Sequence, residues 1–158
     1  MFRQMLRSKQ QLPQAECIAL LEEQKRGVLS VLGDDGYPYG MPMNHWYCRE
    51  DGIVYFHSGQ KGHKMDAIKS CHKASFCVLD EGVHEDDSWV LQFRSVIVFG
   101  RIRMIEDPEQ IIRITRNLSY KFTSDEAHIE KEIRGAAGHT ACFALVPEHI
   151  CGKWVNES

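Results

Sequence analysis

A basic loop between an apolar strand and a helical segment contains the residue types best suited to chemistry. Residues 55–64 read YFHSGQKGHK, and residues 63–68 have a helical composition. This arrangement places His63 and Lys64 in the first turn of a helix, near the positive end of its dipole. Cations at that end are unfavourable by about 0.3–1 kcal/mol each unless an anion joins them. The spacing therefore predicts an anion site.

A phosphate group is the anion that this loop suits best. Backbone N–H groups at the helix start, the Ser58 hydroxyl, Lys61 and Lys64 would hold it, while Gly59 and Gly62 would let the backbone approach closely. The alternative is a solvated basic loop whose second glycine only starts the helix. The loop alone does not decide between these interpretations.

Composition limits the class of protein. The chain has 158 residues, of which 43% are hydrophobic and 26% are charged, which predicts a single globular domain over residues 1–158. A net charge of −3 argues against a general binder of nucleic acid or membrane surfaces. No apolar run has the length of a transmembrane helix, and none follows the basic residues near the start as in a signal peptide. We therefore expect a cytoplasmic protein.

The cysteines and histidines do not form a metal or redox motif. Six cysteines occur without a C-x-x-C pair, and the eight histidines lack H-x-x-x-H or H-E-x-x-H spacing. Free thiols and no metal site are expected. Cys77 and Cys142 lie in apolar runs and are predicted to be core residues.

The pattern of apolar residues predicts a mainly β protein with peripheral helices. Helices are predicted at residues 13–24, with Gly27 as the stop, and at residues 62–70, 108–122 and 125–134. Strands are predicted at residues 27–32, 37–47 and 53–57, forming a meander, and at residues 74–79, 89–105 and 140–146. The long run 89–105 should bend near residues 94–95 or at Gly100, the acidic loop 80–88 should be exposed, and residues 147–158 should form a tail. Six or more strands with few helices indicate a small antiparallel barrel.

Four motifs, in this order, resemble the pyridoxamine 5′-phosphate oxidase-like flavoproteins. They are GVLSV at residues 27–31, GYPYGMPMN at 36–44, YFHS with GHK at 55–58 and 62–64, and RSVIVFG at 94–100. Within that family the chain is most similar to the nitroimidazole-resistance (Nim) branch, over roughly residues 15–153. The resemblance implies an FMN-binding split β-barrel that forms a homodimer, with FMN at the subunit interface.

The resemblance also implies roles for residues on the first two strands. Val28, Leu29 and Ser30 would offer backbone groups along the flavin and its ribityl chain, and Asn44 would face the isoalloxazine edge. Asn44 has an alternative interpretation as a turn or bulge residue. Arg26 precedes the first strand where the oxidase branch has an arginine, but the local match is too short to assign it to a phosphate.

The resemblance assigns phosphate binding and catalysis to the end of the third strand and to the loop that follows it. His57 and Ser58 would end the third strand beside the cofactor, with His57 as a catalytic proton donor. Lys61, His63 and Lys64 would hold the phosphate, in agreement with the argument from the helix dipole. His57 is equally well explained as a packing histidine at a strand end.

The later motif implies contacts from the long strand. Arg94, Ser95 and Val96 would reach the flavin pyrimidine or ribityl, from the same subunit or from its partner. Trp154 would cover the flavin of the partner subunit, with an ordinary packing role as the alternative.

The activity that the resemblance implies is that of an FMN-dependent oxidoreductase of the nitroimidazole-reductase type. An external donor would reduce the flavin, which would reduce a small planar acceptor such as a nitroaromatic. The chain lacks the basic substrate-phosphate motif of the oxidase branch near its C-terminus, which argues against oxidation of pyridoxine phosphate. The alternatives are a non-catalytic flavin-binding or redox-sensing module, and a split-barrel enzyme that uses another flavin, a deazaflavin or haem.

Overall fold

The computed structural model describes residues 1–84, 86, 89–136 and 138–156. Its helices are α1 Gln14–Glu23, α2 His63–Ser70, α3 Pro108–Tyr120 and α4 Glu126–Ala136, with short 3₁₀ turns at Ser8–Gln10 and Asp34–Gly36. Its strands are β1 Arg26–Leu32, β2 Pro38–Asn44, β3 Trp46–Cys48, β4 Ile53–Gly59, β5 Lys73–Leu79, β6 Val83–His84, β7 Leu91–Ile105 and β8 Thr140–Val155. The mainly β fold with peripheral helices is confirmed.

The strands form one curled antiparallel sheet. Its order is β2-β1-β5-β7-β8-β4-β3, and β6 pairs with β7. β2 lies at one edge of this order, yet Asn44 of β2 and His57 of β4 line the same small pocket. The sheet therefore curls until β2 faces β4 across an unpaired seam, which gives the predicted split β-barrel. None of the described helices is long and apolar enough to cross a membrane.

Alternation along β1 decides what lies inside the barrel. Leu29 and Val31 are buried in the core, whereas Val28 faces outward. Inside, the ring of Phe56 contacts Phe76 edge-on at 5.0 Å and stacks on Phe143 at 5.2 Å. Burying each of these phenylalanines contributes about 1.5–3 kcal/mol, with about 0.5–1.5 kcal/mol more for each ring pair.

The long strands β7 and β8 pair along most of their length. They connect the β2-β1-β5 strands of the sheet to the β4-β3 strands. Their register shifts between Phe99 and Gly100, and Gly100 pairs with Pro147. A Cβ at Gly100 would overlap the carbonyl oxygen of Val146, so the close approach at this bulge requires glycine. The predicted bend at Gly100 is confirmed. The predicted tail after residue 146 is wrong, because Pro147 fits the irregular position and β8 continues to Val155.

A break at His45 changes the predicted connection between the first strands. Residues 37–47 do not form one strand, because β2 pairs with β1 and β3 pairs with β4 at the opposite edge of the sheet. The predicted meander is therefore wrong. His45 is fully buried, donates from Nε2 to the Leu21 carbonyl at 2.7 Å, and contacts Phe76 edge-on. These contacts hold the break against the end of α1.

Two smaller expectations also need correction. Gly27 is not the stop of the first helix, since α1 ends at Glu23 and Gly27 already lies in β1. It packs against the Cys77 carbonyl and the Phe76 ring, where a Cβ would not fit. Cys142 is a core residue as predicted, whereas Cys77 is half-buried on the outside of the sheet.

Candidate functional site

A pocket at the seam between β2 and β4 gathers several of the predicted residues. Its volume is about 360 Å³. The residues that line it come from β1, β2 and β4, and they are Arg26, Pro42, Met43, Asn44 and His57. We call this cleft the seam pocket.

Arg26 and Asn44 form a linked pair in the seam pocket. They are partners in the β1–β2 register, and Arg26 Nε donates to Asn44 Oδ1 at 2.8 Å. Because the amide oxygen is engaged in this way, the group that Asn44 offers to a ligand is its NH₂ donor. The sequence did not assign Arg26 to the site, and only its register with Asn44 reveals its place there.

Lys64 extends from α2 to the β2 side of the seam. Its Nζ lies 3.5 Å from the Met43 sulfur, and burial lowers the pKa of Lys64. A thioether is a weak hydrogen-bond acceptor and compensates little of the desolvation of an ammonium group. This cation is therefore well placed to gain from a bound anion.

His57 lies at the end of β4, opposite Cys142 of β8. His57 is an exposed residue, yet partial desolvation by the surrounding protein lowers the pKa of His57, and the positive charge of Lys64 lowers it further. Glu132 of α4 opposes this shift. Because this pKa lies below the usual value of about 6.5, His57 is mostly neutral at pH 7.

The start of α2 has the backbone geometry that was predicted for an anion loop. Gly62 is the N-cap residue with φ of 108°, a conformation that favours glycine. The first hydrogen bonds inside the helix run from Met65 and Asp66 to the Gly62 carbonyl. The N–H groups of His63 and Lys64 precede those bonds and belong to the unpaired first turn of the helix.

The other predicted residues around this loop, which are His63, Lys61 and Ser58, have different surroundings. The His63 ring stacks on Tyr39 at 4.3 Å, and its Nε2 accepts a 3.4 Å bond from the backbone N–H of Asp34. The side chain of His63 is thus engaged with the β1–β2 turn rather than with the seam pocket. Lys61 is exposed in the loop, and Ser58 is half-buried next to His57 on β4.

On β1, the predicted residues divide between the two faces of the sheet. Val28 and Ser30 face outward, whereas the side chain of Leu29 is completely buried. β2 and β5 pair with this part of β1 on both sides, so its backbone groups are engaged in the ladder. A ligand on this part of the sheet would meet the side chains of Val28 and Ser30.

The outward side chains continue across the sheet in register. One row, which runs through five consecutive strands, consists of Pro42, Val28, Cys77, Ile97 and Cys151. We call this side of the β2-β1-β5-β7-β8 strands the outer face. It is apolar in this row, and Val28 is 40% exposed.

Arg94 is held at the far end of β7 by acidic residues. Its Nε donates to Asp80 at 2.8 Å, and a terminal nitrogen lies 3.4 Å from Glu23. Burial raises the pKa of Asp80, but the bonds from Arg94 outweigh that effect and lower it overall. The start of the predicted acidic loop is therefore compensated rather than simply exposed. The described residues do not include Glu85, Asp87 or Ser88 of that loop.

The neighbours of Arg94 lie on different faces of β7. Ser95 is opposite Leu79 on the outer face, and the side chain of Val96 is completely buried in the core. Trp154 pairs with Arg94 in register, is 45% exposed, and lines the same cleft of about 580 Å³. One chain thus brings Asn44, His57 and Lys64 together at the seam, and Arg94 and Trp154 together in a second cleft.

Solved structures with the same fold include an antibiotic resistance protein, an FAD-binding protein and a flavocytochrome. A candidate 5-nitroimidazole antibiotic resistance protein from Bacteroides thetaiotaomicron is 18% identical, with a TM-score of 0.76 over 91% of this chain and 86% of that one. An FAD-binding protein from Mesorhizobium loti is 20% identical, with a TM-score of 0.68 over 92% and 97% of the two chains. The flavocytochrome Anf3 from Azotobacter vinelandii is 20% identical, with a TM-score of 0.74 over 98% and 73%. Identities this low show similarity of fold alone.

A comparison with curated proteins gave no match. The sequence pattern of the family described as pyridoxamine 5′-phosphate oxidase matches residues 13–154, which is most of the chain. The resemblance inferred from the four motifs is confirmed at the level of the family, and the fold is shared with a protein of the nitroimidazole-resistance type. The chain therefore belongs to the pyridoxamine 5′-phosphate oxidase family.

Proposed function

We propose that the protein is an FMN-dependent oxidoreductase of the nitroimidazole-reductase type, which reduces small nitroaromatic or similar planar acceptors. The observation that carries this proposal is the seam pocket, where Arg26, Asn44 and His57 meet beside Lys64. Among the described residues that line this pocket, none carries a carboxylate. It is a set of nitrogen donors next to a helix start, which is the chemistry that a phosphate requires.

The donor set fits the terminal phosphate of FMN. Arg26 and Lys64 supply positive charge, Asn44 supplies its NH₂ group, and the first-turn amides of α2 supply backbone donors. Lys61 and Ser58 lie on the adjoining loop and strand end, where they would add to the same site. His63 would contribute its backbone N–H, because its ring is stacked on Tyr39.

One such phosphate site favours FMN over FAD, which carries a diphosphate and an adenosine. Family membership and the FAD-binding protein of similar fold support a flavin in general. The test is to purify the protein, denature it and chromatograph the released chromophore. FMN is expected, and release of FAD, or failure to bind flavin on reconstitution, would contradict the proposal.

A bound flavin would supply the electron transfer. The residues of the chain bind the cofactor and control protons around it. Because His57 is mostly neutral at pH 7, it would act through a neutral N–H or an unprotonated ring nitrogen. It would not act as an imidazolium that is already protonated at this pH. Its position beside Lys64 also means that a bound phosphate would favour its protonated form.

We also propose that two copies of the chain complete the site as a homodimer, with the flavin at their interface. The outer face, which carries Val28, Ser30 and Ser95, is the surface that a partner would cover. Its apolar row is typical of a sheet that packs against another layer. A partner would also bring its own Arg94 and Trp154, which lie outside the seam pocket of the same chain.

Continuous turnover would distinguish an enzyme from a protein that only binds flavin or uses it as a redox sensor. The FMN-loaded protein should oxidise a reduced nicotinamide continuously when a nitroaromatic acceptor is present. A flavin that is reduced once and is not reoxidised by the acceptor would support the redox-sensing alternative. The chromophore test and this test are independent, because the protein can bind FMN and still fail to turn over.

A further inference from the structure

The outer face has a further row of side chains at the end of the sheet where Arg26 lies. This row consists of Asn44, Arg26, Leu79, Ser95 and Lys153. Each of these residues lies two positions from a residue of the apolar row on its own strand, so the two rows share one face of the sheet. We call it the end row, because it crosses the first residue of β1 and the last residues of β2 and β5.

The rows of this face lack acidic side chains. On the other side of the apolar row, a third row consists of Gly40, Ser30, Ser75, Phe99 and His149. The three rows thus cross five strands without an aspartate or a glutamate. Residues 1–11, which Gln11 joins to the sheet at Lys153, also contain none. This part of the outer face therefore offers positive charge and no negative charge.

Lys153 is a cation of the end row that has no compensating charge. Two other cations of β7 are paired, Arg94 with Asp80 at 2.8 Å and Arg101 with Glu148 at 2.6 Å. Lys153 is half-buried and forms no ion pair with any residue that the structure describes. Its ammonium group is therefore free to bind an anionic or electron-rich ligand.

The proposed dimer would bury Lys153 still further. In a symmetric dimer the same surface of both copies meets. Each copy would place rows without carboxylates against the Lys153 of the other, and an ammonium group that is buried without a partner is costly. A ligand that lies between the two outer faces and carries negative charge would remove this cost.

The phosphate in the seam pocket is too far away to be that charge within one chain. Arg26 turns toward β2, where its Nε bonds to Asn44, whereas Lys153 lies three strands away in the other direction, about 14 Å along the sheet. The other polar part of FMN is the pyrimidine edge of its ring. This edge carries two carbonyl oxygens, and it gains negative charge when the ring takes up two electrons and one proton.

We propose that Lys153 lies against the pyrimidine edge of the flavin ring and stabilises its reduced, anionic form, which raises the reduction potential of the bound cofactor. The inference rests on the proposed function, because it requires FMN between two outer faces. Either copy's Lys153 borders that interface and meets the ring that contacts its face. Lys153 is thus a residue that tunes the cofactor, and it lies outside the four motifs that carried the resemblance.

The first experiment measures the reduction potential of the FMN-loaded protein by equilibration with a reference dye. Lys153→Met should lower the equilibrium constant for reduction about tenfold, which is about 30 mV for a two-electron couple, since a charge-assisted contact to the reduced ring is lost. Lys153→Gln is a second uncharged variant and should show the same shift. Lys153→Arg keeps the charge and should stay close to the wild type.

Lys73→Met is the matched control. Lys73 is an exposed lysine on the same face, at the opposite end of β5 from Leu79. Its removal should leave the potential unchanged, because its charge is far from the end row. An unchanged potential in both uncharged Lys153 variants would overturn the inference. It would also be overturned if Lys73→Met or Lys153→Arg shifted the potential as much as Lys153→Met.

A second measurement compares the affinities of the apoprotein for oxidised FMN and for FMN reduced with dithionite. Linkage requires that Lys153→Met weaken the binding of reduced FMN about tenfold more than the binding of oxidised FMN. Equal weakening of both forms would mean that Lys153 only holds the cofactor, and the tuning role would be wrong. Wild-type protein that binds no FMN would contradict the proposed function itself. Wild-type protein that binds FMN and turns over, with no shift in the Lys153 variants, would remove only this inference.

Discussion

Individual residues in the seam pocket owe their chemistry to what surrounds them. Lys64 is a half-buried cation beside a sulfur atom, and Arg26 is bonded to an amide oxygen. Neither contact neutralises a positive charge, in contrast to Arg94, which is paired with Asp80. The cations of the seam pocket are therefore available to an anionic ligand.

Lys64→Ala should weaken FMN binding with little effect on the stability of the fold. Loss of a charge-assisted bond to phosphate costs roughly 1.5–3 kcal/mol, about ten- to a hundredfold in the dissociation constant. A first-turn lysine near the positive end of α2 adds no stability by itself. Fluorescence titration of the apoprotein with FMN measures the affinity, and thermal unfolding of the apoprotein measures the stability.

The matched control for this prediction is Lys69→Ala, which removes an exposed lysine from the last turn of the same helix. Its FMN affinity should equal that of the wild type. An unchanged dissociation constant for Lys64→Ala would show that the phosphate lies elsewhere. A large drop in the melting temperature of its apoprotein would instead identify Lys64 as a structural residue.

The sequence predicted the part of the pocket that depends on local order. Gly62, Lys64 and His57 lie within one short stretch of sequence, so their spacing already implied a common site. Arg26 could not be placed in this way, because it meets Asn44 only through the β1–β2 register. The direction of the His63 ring was also hidden, since it depends on Tyr39 from a distant strand.

At the level of whole elements, the sequence predicted the positions of the strands better than it predicted which strands pair with each other. The apolar run 37–47 has the same alternation on both sides of His45, so nothing local marked the break between β2 and β3. The break follows from tertiary contacts, because His45 is buried against α1 and Phe76. The last strand was predicted to end too early, at residue 146, for a related reason. Pro147 indicates a strand end unless the partner strand has a bulge opposite it.

Burial of His45 should make the fold sensitive to acid. Desolvation lowers the pKa of His45 to about 3, so the unfolded chain binds a proton below about pH 6.5 while the folded protein does not. The contribution of His45 to stability is complete above that pH and is lost as the pH falls toward 3. Between pH 7 and pH 5 the loss should be about 2 kcal/mol.

Urea unfolding at pH 7, 6 and 5 measures this loss. His45→Gln is the comparison variant, because it keeps an amide donor for the Leu21 carbonyl but does not titrate. The variant should be less stable than the wild type at pH 7 and should show a flatter dependence on pH. Parallel curves for the two proteins would mean that other groups cause the acid sensitivity.

Gly100 should be essential to the pairing of β7 with β8. Gly100→Ala introduces a Cβ that overlaps the Val146 backbone, and a backbone neighbour cannot move aside as a side chain can. We expect a loss of about 1–3 kcal/mol in the free energy of unfolding, or more if the bulge is disrupted. Gly59→Ala is the control, because its Cβ meets no atom within 4 Å. Similar stabilities for the two variants would contradict this account of the bulge.

At the scale of the whole molecule, the outer face and the two clefts suggest an incomplete unit. The seam pocket lies at one end of β1, and the cleft with Arg94 and Trp154 lies at the end of the β7–β8 pair. Between them the sheet presents apolar side chains, and the first residues of the chain lie over part of them, with Phe2 against Phe99. Packing of a second copy on the rest of this face would bury it and would bring the two kinds of cleft together.

The FMN-loaded protein should therefore be a dimer in solution, with a mass by light scattering near twice the single-chain value of 18.2 kDa. Val28→Glu places a charge in the apolar row and should shift the protein toward monomer, because an unpaired charge is costly to bury. Ile112→Glu is the matched control, since Ile112 is 44% exposed on α3, close to the 40% of Val28, but lies away from the outer face. Its mass should remain that of the dimer. A wild-type mass near 18.2 kDa, or dissociation of the control instead of Val28→Glu, would rule out the outer face as the dimer interface and with it the shared flavin site.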